Sequence, residues 1–168
     1  MQFTTILLSA LFAIPAVLAG PTHGNSYATY SVDYDNGDRP LSNVACSNGP
    51  NGLLTKGFTT LGSLPSYPYV AGVANVGWNS PYCGSCWGVS YKGKTIYVTA
   101  IDSSGVGFAL SSKAIQQLTG PDGMRAGKVP VTYWAASPSD CSKPPSSWYV
   151  PPLVYDNLVA DDLPSSKR

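Results

Sequence analysis

Apolar and polar residues alternate from Ser26 to Tyr34, placing Ala28, Tyr30, Val32 and Tyr34 on one face, the pattern of a half-buried strand. Two β-rich runs, Trp87–Tyr91 and Thr95–Ile101, flank Lys92-Gly93-Lys94 and predict a hairpin. Ser111 or Ser112 can cap a short helix through Ala114, Ile115 and Leu118, which Gly120 and Pro121 then stop. Val129–Trp134 reads as a last strand leading towards Cys141. Between the first strand and the hairpin, residues 35–66 are rich in Gly, Asn, Asp, Ser and Pro. Asn48-Gly49 and Asn51-Gly52 are turn signals there. So long a segment without periodicity predicts a functional loop, or one stapled through Cys46. The sum is an all-β domain of short strands with one or two small helices.

Both ends depart from this pattern. Residues 1–19 carry no charged side chain, hold an apolar run and finish Ala16-Val17-Leu18-Ala19, which reads as a cleaved secretory leader. No Lys or Arg precedes that run, a departure from the usual leader. No later stretch is long and apolar enough to span a membrane. Residues 142–168 hold five prolines and several serines, around the apolar islands Trp148-Tyr149-Val150 and Leu153-Val154-Tyr155. A flexible, surface-draped tail is the plainer reading, and docking of those islands over a groove is the other. The expected division is therefore a leader over 1–19, one domain over 20–141 and a tail over 142–168.

Composition narrows the chemistry. All nine acidic residues are Asp, and the one His, His23, lies near the amino terminus. A Ser-His-Asp or Cys-His mechanism needs an oriented, buried imidazole, which His23 is badly placed to supply. No His/Cys cluster remains for zinc once the cysteines are paired, so neither metal nor cofactor is expected. A net charge of +1 offers no basic stripe for nucleic acid. Secretion makes disulfides the default for Cys46, Cys83, Cys86 and Cys141, and four cysteines allow three connectivities. Cys83-Gly84-Ser85-Cys86 has redox spacing, but strand-like sequence follows it where a thiol-activating helix would be needed.

Between Asp38 and Asp122 the only carboxylate is Asp102. It ends the buried run Thr95–Ile101 and opens the small-residue loop Ser103-Ser104-Gly105-Val106-Gly107. It can serve a site or simply bond its own turn. Glycoside hydrolysis ordinarily needs two carboxyls at a defined separation, and only Asp33, Asp35 or Asp38 could approach to supply the second. The inventory therefore favours binding over bond cleavage. Tyr30, Tyr34, Tyr67, Tyr69, Trp78, Tyr82 and Trp87 are spread through the cysteine-tied segments. Core packing competes with ligand stacking for each of them. Trp78 and Tyr82, set among Gly, Asn, Ser and Pro, are the surface candidates, and Trp87 is the core candidate.

These blocks carry a resemblance. Tyr34-Asp35 ahead of Val44-Ala45-Cys46-Ser47-Asn48-Gly49, Gly57–Gly62, Gly77–Trp87 with its Cys-Gly-Ser-Cys-Trp, Ala100-Ile101-Asp102 and the final Cys141 resemble the cerato-platanins, small secreted fungal proteins. The similarity runs from about Tyr27 to Cys141. It implies a six-stranded double-psi β-barrel like the first domain of expansins, with disulfides Cys46–Cys83 and Cys86–Cys141. It also implies binding of chitin oligomers and loosening of cellulose without hydrolysis. Self-assembly at interfaces and elicitation of plant defence, through a plant surface receptor, belong to the same resemblance. The family's proposed active Asp falls on Asp102. The tail after Cys141 is longer than the family usually carries. The expected carbohydrate contacts are Tyr34, Asp35, Asn48, Trp78, Tyr82 and Asp102, on a secreted, cell-wall-associated protein. The rival expectations are a weak glycanase using Asp102 with an N-terminal Asp, and an interface-active, allergen-type interaction protein.

Overall fold

Lys92 and Gly93 both take positive φ, 48° and 81°, so the two strands they join meet in a tight two-residue turn, with Tyr91 opposite Lys94. This is the backbone that matches strand twist in a hairpin, and Gly at the second position relieves its cost. In the computed structural model, which describes residues 23–142, that hairpin is β3 (Cys86–Tyr91) and β4 (Lys94–Ser103). With β1 (His23–Tyr30), β2 (Val70–Val73), β5 (Phe108–Leu110) and β6 (Val129–Ala136) it closes a six-stranded barrel, in the order β1-β5-β2-β4-β3-β6. The β1–β5 and β2–β4 pairs are parallel and the rest antiparallel. Every strand has a partner on each side, although β5 reaches only Ala28–Tyr30 of β1 and β2 only Thr99–Ser103 of β4.

The first strand departs from its expected range. It starts at His23 and ends at Tyr30, and Val32–Tyr34 form a 3-10 turn. The reason is the partner: β5 pairs only Ala28–Tyr30 and ends where Ser111 begins to cap a helix. Val32 therefore stands 66% exposed while Tyr34 is buried, so the two do not share a strand face.

Helix α1 (Ser112–Thr119) follows its local signals. The Ser111 hydroxyl accepts from the Ala114 N–H at 3.1 Å, and Gly120, at φ 69°, ends the helix. Ala114, Ile115 and Leu118 turn inward on one stripe. Pro121 opens α2 (Pro121–Ala126), where a missing N–H costs nothing. A single turn, α3 (Pro138–Cys141), brings Cys141 to Cys86.

Residues 35–66 hold two 3-10 turns, Leu41–Asn43 and Leu61–Ser63, and one isolated bridge, Pro40 to Thr60. The segment is nonetheless packed: Leu41, Leu53 and Leu61 are fully buried within the core cluster. Each such side chain contributes about 1.5–3 kcal/mol of burial, as an upper bound. Disulfides join Cys46 to Cys83 and Cys86 to Cys141. The CxxC cysteines thus each staple a different distant segment. The expected leader, and the expected tail beyond Ser142, lie outside the described residues.

Candidate functional site

Asp102 lies next to last in β4, and three donors surround its carboxylate. The Tyr34 hydroxyl donates to Oδ2 at 3.1 Å, and the Ala45 and Ser103 N–H groups donate to Oδ1 at 2.9 and 2.8 Å. Tyr34 and Ala45 arrive from the first loop, across 68 and 57 residues of chain. Asp102 thus bonds its own turn and also gathers the loop onto the barrel. Space for the tyrosine comes from Gly72 of β2, where the β2–β4 register shifts between Ala71 and Gly72. A Cβ there would lie 2.9 Å from the Tyr34 hydroxyl and 2.5 Å from the Ser103 carbonyl oxygen.

Burial, then the charge of Asp102 and the hydrogen bond to it, push the Tyr34 phenol well above its ordinary value, against a smaller lowering from Arg39. The sign follows from linkage. Above about pH 10 the unfolded chain releases this proton while the folded chain keeps it. Stability from this group is complete below that pH and is lost as pH rises further. Tyr34→Phe should therefore flatten the fall in urea midpoint between about pH 9 and about pH 11. An identical alkaline fall in variant and parent would contradict the assignment.

The neighbouring carboxylates have structural work. Asp35 Oδ1 accepts from the Ser112 N–H at 2.8 Å, at the start of α1, and its carbonyl accepts from the Tyr67 hydroxyl at 2.6 Å. Asp33 pairs with Arg39 at 3.6 Å, and the same guanidinium donates to the Asn43 carbonyl at 3.1 Å. Asp35 is therefore a clamp between the first loop and α1.

Asn48 and Trp78 form a second cluster. The indole N–H donates to Asn48 Oδ1 at 2.5 Å while the ring stands 66% exposed. The backbone beneath is tied by Asn51, whose N–H and side-chain amide bond the side-chain and main-chain oxygens of Asn79, each at 3.0 Å. Gly49, at φ 86°, has no room for a side chain, since a Cβ would meet Asn79 Oδ1 at 2.8 Å. The segment 45–48 links the clusters: Ala45 binds Asp102, Cys46 is disulfide-bonded to Cys83, and Asn48 holds Trp78. Tyr82 is exposed too, but leans on buried Trp87 with ring centroids 6.2 Å apart. It borders a small cavity of about 110 Å³ that Trp87, Phe108 and Tyr133 also line. Trp87 is thus core, and Trp78 and Tyr82 are surface residues.

Sequence reasoning missed Gly72 and the Ala45 N–H. The first left a signal, a glycine inside the apolar run Tyr69–Val73, which often marks close backbone approach. The second is a backbone group and left none.

The cerato-platanin family profile matches residues 26–143. The chain belongs to the cerato-platanin family. It is 42% identical over 145 residues to the heat-stable 19 kDa antigen of Coccidioides posadasii, covering 84% of this chain and 98% of that one. The crystal structure of cerato-platanin 3 from M. perniciosa is 40% identical, with a TM-score of 0.67 over 71% of this chain and all (100%) of that one. The solution structure of the fungal elicitor Cerato-Platanin is 36% identical, with a TM-score of 0.62 over 69% and 96% of the two chains. Cerato-platanins are secreted fungal proteins, and two disulfides fit an oxidising compartment.

Proposed function

We propose that the protein binds cell-wall polysaccharide, chitin oligomers or cellulose, and loosens it without hydrolysis. The observation that carries this reading is Trp78, a flat apolar ring held out to solvent by a hydrogen bond to Asn48. Ring faces of sugars stack on such an indole, and neighbouring amides and carboxylates bond their hydroxyls. Little ordering remains to be lost on binding, because both partners are already fixed. Asp102 acts as a polar contact and as the brace that sets the first loop. Its three donors, and the engagement elsewhere of Asp33 and Asp35, two of the three carboxylates that could partner it, argue against a proton-shuttling pair. Secretion through the leader over residues 1–19, a place at the fungal cell wall and sensing by a plant host belong to this reading. The description of a 36% identical relative as an elicitor supports the last of these.

Retention on insoluble chitin and cellulose, with reducing ends measured in parallel, tests it. Trp78→Ala should weaken retention at least about fivefold, the equivalent of about 1 kcal/mol of ring contact. No reducing ends should accumulate. Sugar ends released by the parent and lost in Asp102→Ala would replace this reading with the glycanase. Absence of retention on both polymers would reject carbohydrate binding.

A further inference from the structure

A different wall of the barrel carries a second set of ligand-type groups, independent of the Trp78 and Asp102 site. Where β1, β6 and β3 run side by side, Asn25 pairs with Thr132 and Thr132 with Ser90, giving a cross-strand row of one amide and two hydroxyls. Successive members are about 4.8 Å apart, the spacing of neighbouring strands. All three line an open cavity of about 460 Å³, with Tyr27 and Lys92 also at its wall. Tyr27 is 49% exposed, and the Lys128 ammonium sits 4.8 Å from its ring centroid. No described residue lining the cavity is acidic.

Among the described residues, Lys92 is the one charged residue lining the cavity, in a chain of net charge +1. Lys94 opens β4 and Asp102 nearly closes it, about 25 Å away at strand rise. A polar row beside an exposed ring fits a sugar chain, and two nearby lysines, Lys92 at the cavity wall with its ammonium 5.1 Å from the Tyr91 ring centroid and Lys128 over Tyr27, supply the charge for carboxylates on that chain.

We propose that this cavity binds a carboxylated polysaccharide, a polyuronate, and so gives the protein a second glycan site, for anionic rather than uncharged chains. Its ligand is held by Lys92 and Lys128 at the carboxylates, by the Asn25–Thr132–Ser90 row at the hydroxyls and by Tyr27 at a ring face.

The test is affinity electrophoresis and pull-down on polygalacturonate, on its fully methyl-esterified form and on polyglutamate. Lys92→Asn with Lys128→Gln removes both charges, and Asn suits the positive φ of position 92, ahead of Gly93. Parent protein should bind polygalacturonate, and far more weakly as salt rises from about 20 mM to about 300 mM. The double variant should lose about tenfold or more in affinity, and Tyr27→Ala should weaken it separately. Retention on chitin should be unchanged in both variants, with native near-UV circular dichroism. Equal binding of the methyl ester would overturn the charge assignment. Polyglutamate bound as well as polygalacturonate would overturn the sugar assignment, and no binding of polygalacturonate would overturn the site. Trp78→Ala, which reads the chitin site, should leave polygalacturonate binding intact. Loss of both activities in that variant would overturn their independence.

Discussion

Gly72→Ala is expected to destabilise the fold by about 2–4 kcal/mol and to disengage Tyr34 from Asp102. Gly72 is buried in β2, between β4 on one side and β5 on the other. An added methyl group would sit 2.5 Å from the Ser103 carbonyl oxygen, a backbone atom that no rotamer change can move. Its second contact, 2.9 Å, is the Tyr34 hydroxyl that donates to Asp102. Overpacking of this kind costs about 1–3 kcal/mol. Losing a hydrogen bond to a charged group adds about 1.5–3 kcal/mol. The lower conformational freedom of the unfolded alanine chain offsets part of these costs, about 0.4–1 kcal/mol. Urea unfolding should show a lower midpoint at an unchanged slope. Tyr34→Phe resolves the two costs. Combined with Gly72→Ala it should add little to the single variant, because the hydroxyl contact is already lost. A Gly72→Ala protein with the parent's midpoint would mean that β4 yields freely at this point.

The same residue marks where sequence reasoning reaches its limit. The β3–β4 hairpin and α1 are legible because their determinants are neighbours in the chain: Lys92-Gly93 sets one turn, and Ser111 and Gly120 bound one helix. Strands β2 and β5, of four and three residues, are too short to show a period. Their burial comes from closure against strands far along the chain. Alternation through Val32 and Tyr34 misleads for a related reason, since β5 stops pairing at Tyr30. In residues 35–66 the turn residues are legible. What the turns accomplish, the burial of Leu41, Leu53 and Leu61, depends on a surface supplied by the rest of the fold.

The candidate site divides the same way. Asp102 is visible as a lone carboxylate at the end of a β run, and the exposure of Trp78 is visible in its small, polar neighbours. The pairing of Asp102 with Tyr34, and of Trp78 with Asn48, spans 68 and 30 residues and follows no spacing rule. Asp35 shows a role that its position in the chain does not announce. Its position beside Tyr34 suggests a groove contact, and the structure adds a bond from the first N–H of α1 to its Oδ1.

Removing the Cys46–Cys83 disulfide by Cys46→Ala with Cys83→Ala should cost about 2–5 kcal/mol of stability. The bridge spans a sequence separation of 37, for which chain entropy alone gives about 4 kcal/mol. Its position makes the variant informative about function as well. Cys46 lies two residues before Asn48, and Cys83 follows the loop that presents Trp78, so the bridge fixes both sides of the Asn48–Trp78 contact. Other ties persist: the two Asn51–Asn79 bonds at 3.0 Å, and the bond from the Lys56 ammonium to the Cys83 carbonyl at 2.6 Å. Chitin retention should therefore fall to a level between the parent and Trp78→Ala. Cys86→Ala with Cys141→Ala is the matched control. Its bridge spans 55 residues and ties β3 to α3, so its chain-entropy cost is again about 4 kcal/mol. It touches neither Asn48 nor Trp78. Equal stability losses with chitin retention lowered only in the first variant would locate the functional role of the disulfide in holding the indole. Equal losses of retention in both would mean that general loosening of the barrel, rather than the Asn48–Trp78 geometry, controls binding.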